Sequence, residues 1–513
     1  MNPGSAPLLA ASLLPALLML AALPLRREAD GPAAWRRLRT FALLGIAGAA
    51  ASLGLQLAAG PATPAPSLPG LAATLTGAWM ALLVQLLGTV IGAFSSRYLQ
   101  GEPGQLRYVA ALAGVLAAVH VLVLADHWLV VIAAWAAVGW ALQHLLCFYR
   151  DRPFALLAAH KKRVADRLAD GLLIAAAALA WHEVGSGSLS DLWRHVEAGA
   201  SSLALQASAV CLALAVVLRT ALLPVHGWLI QVMEAPTPVS ALLHAGVINL
   251  GGYVLIRFAP LLEAAPVARW LLVGTGLATA ILAGLVMLTR ISVKVRLAWS
   301  TVAQMGFMVM ECGLGLYTLA LLHLVGHSLY KAQAFLAAST AVETARLRTM
   351  QGVPAPTSAS LAVAPLASAA LVAGLLVLHA ALAPGGAWPW WWSGVLALAW
   401  APLLWLPSQR QPDAPGAVRG ALAGAGMVTA LVLATLIGHA LPFGVSDAPD
   451  GTAGLVALAG MAALYACLAL LHARPAMLAT WRRWSYAGFY VDEYVTRAAL
   501  RLWPARWTAA AAE

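Results

Sequence analysis

The stretch LRTALLPVHGWLIQVMEAPTPVSALLHAGVINLGGYVLIRFAP, residues 218–260, decides how the rest of the chain is read. It is apolar enough for hydrocarbon, yet it sets Arg219, His226, Glu234 and His244 among its apolar runs and cuts the backbone with Pro224, Pro236 and Pro238. Proline has no N–H, so Pro224 frees the carbonyl of Thr220, and Pro236 and Pro238 interrupt the backbone before the next apolar run. In a bilayer a freed carbonyl must find water or a polar side chain. Charge and break at one place are how many transporters build ion sites near the midplane. The stretch therefore predicts a broken helix near 219–238, polarised by Arg219 and Glu234.

The surrounding chain calls for a membrane. Of its 513 residues 62% are hydrophobic and 10% charged, with a mean hydropathy of +0.82, whereas soluble domains are about 25% charged. Apolar runs of spanning length recur from 7–24 to 453–473. They predict an all-α polytopic membrane protein with about 14–15 transmembrane helices. The net charge of +11 does not point to nucleic acid, because the basic residues fall in short loops between runs. Arg26, Arg27, Arg36, Arg37 and Arg39, then Arg97 and Arg107, then Arg150 to Arg167, then Arg290, Lys294 and Arg296, then Arg346, Arg348, Arg410 and Arg419, and finally Arg474, Arg482 and Arg483 alternate onto one side; Arg194 and Arg269 are exceptions. That alternation predicts an external N-terminus and a cytoplasmic C-terminus. The apolar start lacks a basic leader and reads as a first span. Cys147, Cys211, Cys312 and Cys467 read as buried small residues, with no disulfide or metal spacing.

Ionisable residues inside apolar runs cost roughly 2.5–3.5 kcal/mol each on insertion scales, so their positions carry functional information. In LALLHLVGHSLYKAQAFLAAS, 319–339, His323, His327 and Lys331 follow one another at i, i+4, i+8. At 100° per residue they stay on one helix face, drifting about 80°. Such a row can hand protons along. Lysine is scarce here: Lys161, Lys162, Lys294 and Lys331 stand against 27 arginines. Arginine cannot be deprotonated in a protein and a buried lysine can, which singles out Lys331. Lys294 reads equally as a path residue or a loop charge. The expected route is His244, Lys331, His327 and His323, with Lys294 as a further member.

Five strings carry a family resemblance: SRYLQGEPGQLRYVAAL (96–112), LADHWLVVIAAW (124–135), LLPVHGWLIQVMEAPTPVSALLHAG (222–246), VKVRLAWSTVAQMGFM (293–308) and HLVGHSLYKAQAFL (323–336). On them the chain resembles the antiporter-like subunits of respiratory NADH:quinone oxidoreductase and of multisubunit cation/proton antiporters. QHLLCFYRDRP (143–153) and YAGFYVDEYVTRAALRLWP (486–504) narrow the resemblance to the DabB family, the membrane subunits of two-component inorganic-carbon accumulation complexes. The resemblance implies an antiporter-like fold with inverted repeats. It also implies a DabA-like soluble zinc-containing partner, similar to a β-carbonic anhydrase, whose CO2 hydration is driven by ion flow through the membrane subunit. No cofactor or metal is expected on this chain, and no catalytic domain of its own. The alternative is a subunit of a respiratory or cation/proton antiporter complex; a scaffold that only docks a partner would have no reason to bear the cost of the His/His/Lys row.

The departures from the family matter as much. Where its respiratory members carry a glutamate on the fifth helix paired with a lysine before the first break, this chain has Ala136 and Arg219. Arg219 is then a fixed charge, with Glu234 expected as its partner across the break. The C-terminal run 360–381 contains only His379 where those members have a second-repeat lysine or glutamate. The expected organisation is N-terminal helices over 1–75, a conducting core over 76–345, divergent helices over 346–473 and an amphipathic tail over 474–513.

Overall fold

The computed structural model describes residues 5–28, 30–60, 67–199, 201–338, 355–382, 388–407, 414–474 and 476–505. Arg346, Arg348 and Arg410 lie outside the described residues.

The helices follow the apolar runs. They are α1 (Ser5–Ala21), α2 (Gly31–Ala59), α3 (Leu75–Tyr98), α4 (Gln105–Leu124), α5 (Trp128–Leu146), α6 (Pro153–Val184), the short surface helix α7 (Leu189–Glu197) and α8 (Leu203–Arg219). Then come the short α9 (Gly227–Gln231), α10 (Thr237–Ala245), α11 (Leu250–Arg257), α12 (Ala259–Glu263), α13 (Pro266–Met287), α14 (Val293–Leu314) and α15 (Tyr317–Leu336). The C-terminal part holds α16 (Ser358–Leu382), α17 (Trp390–Trp400), α18 (Ala414–His439), α19 (Gly451–Ala473), α20 (Ala479–Tyr486) and α21 (Val491–Leu502). A two-residue hairpin, Ser67–Leu68 with Leu71–Ala72, is the sole sheet among the described residues.

Local chemistry sets the ends. Thr74, Ser202 and Asp450 accept from backbone N–H groups in the first turns of α3, α8 and α19. Prolines start α6 and α13, where the missing N–H costs nothing. Gly315, at φ 77°, ends α14 in the left-handed region.

Among the described residues ten helices are long and apolar enough to cross a membrane, counting α10 and α11 as one span. Helix α8, and α17 with the 3-10 turn after it, are shorter apolar helices. Three more, α6, α14 and α15, fall below that apolarity because they carry the ionisable residues described next. The architecture is thus the expected all-α polytopic one. Its centre is the α10–α11 span, the most deeply buried of the ten.

Helices α13 and α14 pack at backbone contact. A Cβ on Gly306 would lie 2.7 Å from both the Gly276 carbonyl and the Ala280 nitrogen, so only glycine permits the crossing. The cysteines are free; Cys312 is buried and the other three are half-buried.

Candidate ion-translocation site

The predicted break is present. Helix α8 stops at Arg219, and Ala221 sits at φ 52° with a cis Leu223–Pro224 peptide after it. The Leu223 N–H, which has lost its helical acceptor, is taken by Thr279 Oγ1 from α13 at 3.2 Å. His226 Nδ1 lies 3.2 Å from the Pro224 carbonyl, and its ring packs 4.9 Å from that of Trp299. After α9 and a 3-10 turn, Pro236 and Pro238 flank Thr237 at the start of α10. Lys294 of α14 donates to Thr237 Oγ1 at 3.0 Å, which puts Lys294 at the break.

A second interruption was not foreseen. The run 239–258 reads as one span, but Gly246 adopts φ −120°, ψ −76° and splits α10 from α11 immediately after His244. Asn249 repairs the gap, donating to the Ala245 carbonyl at 2.9 Å and to Ser328 Oγ of α15 at 2.7 Å. His244 is fully buried, stacks on Phe335 at 4.5 Å and meets Thr301 Oγ1 through Nδ1 at 3.0 Å. Its Nε2 has no protein partner.

The row on α15 faces this break. Lys331 is fully buried, donates to the Leu297 carbonyl of α14 at 2.9 Å and to Ser300 Oγ, and has no carboxylate within ion-pair distance among the described residues. One turn away His327 is buried with both ring nitrogens unpartnered. Its ring lies 6.1 Å from that of His323, whose Nδ1 is 2.7 Å from Glu311 Oε2. Glu311, on α14, is 3% exposed. The row spans about 12 Å along the helix at 1.5 Å per residue, ending on a buried acid. His244, Lys331, His327 and His323 are therefore brought together, with Lys294 at one margin.

The expected partner of Arg219 is corrected. Arg219 pairs with Asp170 of α6, donates to the Trp135 carbonyl at 2.8 Å and lies 4.7 Å over the Trp135 ring. Glu234 instead closes the start of α6: its Oε2 accepts from the Ala155 N–H at 3.2 Å, and its carbonyl accepts from Arg152 at 2.7 Å. The physical reason is reach. Glu234 stands at the arginine-rich end of the break, whereas Asp170 lies deep in α6, opposite Trp135 and the end of α8.

Helix α6 carries more than Asp170. Lys162, Asp166 and Asp170 follow at i, i+4, i+8, and Lys162 pairs with Asp166. The room comes from α5: a Cβ on Gly139 would lie 2.7 Å from Asp166 Oδ2. Ala136, Gly139 and Gln143 line a cavity of about 70 Å³ with Asp166 and Asp170, space for ordered water. Lys161 and Lys162 are buried, although the sequence places them in a loop.

Two signals for these residues were legible. Lysine in an arginine-rich chain singled out Lys331, and the same test applies to Lys161 and Lys162. Glu311 lies inside a predicted span, where any acid is informative. Nothing in the pattern placed Asp166 and Asp170 against α5.

Comparison with known proteins agrees with the geometry. Residues 125–381 match the family described as NADH:quinone oxidoreductase/Mrp antiporter, TM. The chain is 42% identical over 432 residues to the probable inorganic carbon transporter subunit DabB of Hydrogenovibrio crunogenus (strain DSM 25203 / XCL-2), covering 83% of this chain and 82% of that one. It belongs to this antiporter family, in its DabB branch. The probable inorganic carbon transporter subunit DabB2 of Halothiobacillus neapolitanus (strain ATCC 23641 / c2) is 42% identical over 347 residues, 65% of this chain and 63% of that one. Among solved structures, a chain of the Mrp complex from Dietzia sp. DQ12-45-1b superposes with a TM-score of 0.61 at 24% identity, over 96% of this chain and 60% of that one. That likeness establishes the antiporter-like fold. As a family member with this fold, the chain is a cation-translocating membrane subunit of a larger complex.

Proposed function

We propose that the chain is the proton-translocating membrane subunit of an inorganic-carbon accumulation complex. In this reading a DabA-like soluble zinc-containing partner, similar to a β-carbonic anhydrase, hydrates CO2, and ion flow through this chain makes the conversion one-way. The support is the buried Glu311–His323–His327–Lys331 row beside the His244 break, in a chain of the DabB branch. The core over 76–345 holds the whole row, and the C-terminal tail stands on the arginine-rich, cytoplasmic face in a bacterial inner membrane.

Each group has a role its chemistry permits. Lys331 accepts or gives a proton while Leu297 and Ser300 hold its amine in place. His327, with two free ring nitrogens, receives on one and releases on the other. His323 passes the proton to the Glu311 carboxylate, which leads toward the opposite face. His244, with Nδ1 held by Thr301 and Nε2 free, connects the row to the break. Arg219, paired and unable to deprotonate, fixes the local potential without carrying protons.

The test is Lys331→Ala beside Lys331→Arg, read as bicarbonate accumulation in cells and as co-purification of the partner. Both variants should lose accumulation and keep the complex, because arginine retains the charge but cannot release a proton. Parental accumulation in Lys331→Arg would refute the role given to Lys331.

A further inference from the structure

The C-terminal tail does not simply lie along a surface. Between α20 and α21 the backbone turns sharply, with Gly488, Phe489 and Tyr490 at φ 63°, 54° and 56°. For the two aromatic residues this left-handed conformation is unfavourable, so packing must hold it. Arg290 lies 5.8 Å over the Tyr486 ring and 5.3 Å over that of Trp299, tying the turn to the α13–α14 end. The turn aims Asp492, at the start of α21, into the helix break.

There Asp492 meets a built site. It pairs with Lys161, whose side chain is 3% exposed, and accepts from Gln231 Nε2 at 3.0 Å. Lys161 also donates to Thr496 Oγ1 at 2.7 Å and to Gln231 Oε1 at 3.3 Å. A Cβ on Gly227 would coincide with Asp492 Oδ1 and displace Lys161 Nζ, so residue 227 is glycine where the carboxylate rests on the backbone. Lys161 adjoins Lys162, which begins the Lys162–Asp166–Asp170 row. Glu493 also acts on Lys161, and His226 faces both members of the pair and Arg290.

We infer that Lys161 and Asp492 form a proton-exchanging site at the arginine-rich end of the α6 row, completed by the tail. The proton leaves the Lys161 ammonium for the Asp492 carboxylate, giving a neutral amine and a neutral acid; the acid then releases it to water, and the reverse sequence loads it. Gln231 and Thr496 hold the two groups through both states. The tail is thereby part of the ion path, and lifting α21 disconnects the row from solvent. This inference rests on the proposed proton translocation.

The experiment uses the full-length chain in proteoliposomes with an internal pH dye and an imposed potential, recorded across external pH. Asp492→Asn and Lys161→Gln should lower proton flux on the order of 10²-fold, the usual scale for a lost acid–base group, and flatten its pH profile. Gly227→Ala should do the same without removing an ionisable group. The exchange K161D/D492K should restore a pH-dependent flux, which a purely structural loss would not allow. The inference is overturned if Asp492→Asn and Gly227→Ala keep the parental rate and profile while Lys331→Ala abolishes flux. If Lys331→Ala conducts like the parent, the proposed function fails instead; if the parent conducts no protons, both fail.

Discussion

Replacing Asp170 by alanine tests whether the acid of α6 is the true partner of Arg219. The guanidinium is 4% exposed and the carboxylate 14%, so the pair is largely buried, although Asp170 is also 3.4 Å from the exposed Arg167. Removing one partner of a buried pair typically costs about 3–5 kcal/mol, because the other charge stays behind uncompensated. Arg219 would keep its bond to the Trp135 carbonyl and its place over the Trp135 ring, so the loss belongs at the low end, about 3 kcal/mol. At 1.4 kcal/mol per tenfold, that is roughly 150-fold in the folding equilibrium. The assay is unfolding of the purified chain in a denaturing-detergent titration, with thermal unfolding as a second measure. The double variant D170L/R219L should regain most of the loss, because replacing both charges by apolar groups is often neutral or stabilising. An Asp170→Ala chain within about 1 kcal/mol of the parent would refute the buried pairing. So would a double variant no more stable than the single one.

Two further outcomes follow from contacts elsewhere in the core. Gly306→Ala places a methyl group against backbone atoms of α13 that cannot rotate away, and should cost about 1–3 kcal/mol; thermal unfolding at the parental midpoint would show that α13 and α14 separate freely. Glu311→Gln keeps the shape of the acid but leaves His323 facing an amide, so proton flux in vesicles should fall while yield and monodispersity hold; unchanged flux would remove Glu311 from the route.

The fold was legible because hydrocarbon imposes its pattern on every crossing: run length, proline and loop arginines each reported separately on the same helices. The His323–His327–Lys331 row was legible for a related reason, since three costly residues at one helical spacing are hard to attribute to packing. The split at Gly246 was not. An uninterrupted apolar run says nothing about a break at Gly246 whose freed Ala245 carbonyl is satisfied by the Asn249 side chain, eight residues short of the helix end at Arg257. The tail was read only as an amphipathic segment, because the residue that receives Asp492 is a glycine, and glycine shows its purpose only when its neighbour in space is known.

The pairing of Arg219 shows most plainly where linear reasoning stops. Matching positions along a chain finds alanine where related subunits have a glutamate, and the inference is that the acid is gone. A salt bridge, however, requires only that an oxygen reach the guanidinium, from whichever helix. Ala136 and Gly139 leave space on α5, and α6 fills it from the other side with Asp166 and Asp170. Ala136, the small residue that signalled a lost acid, thus shares with Gly139 the space into which its replacement approaches. With the acid relocated to α6, the two lysines a little over two turns before it cease to be loop charges: Lys162 begins the row toward Asp170, and Lys161 beside it meets the tail at Asp492. On the reading proposed above, two tasks fall on two packed helices: Arg219 at the end of α8 holds the potential, and Lys161 on α6 exchanges protons with Asp492 of the tail.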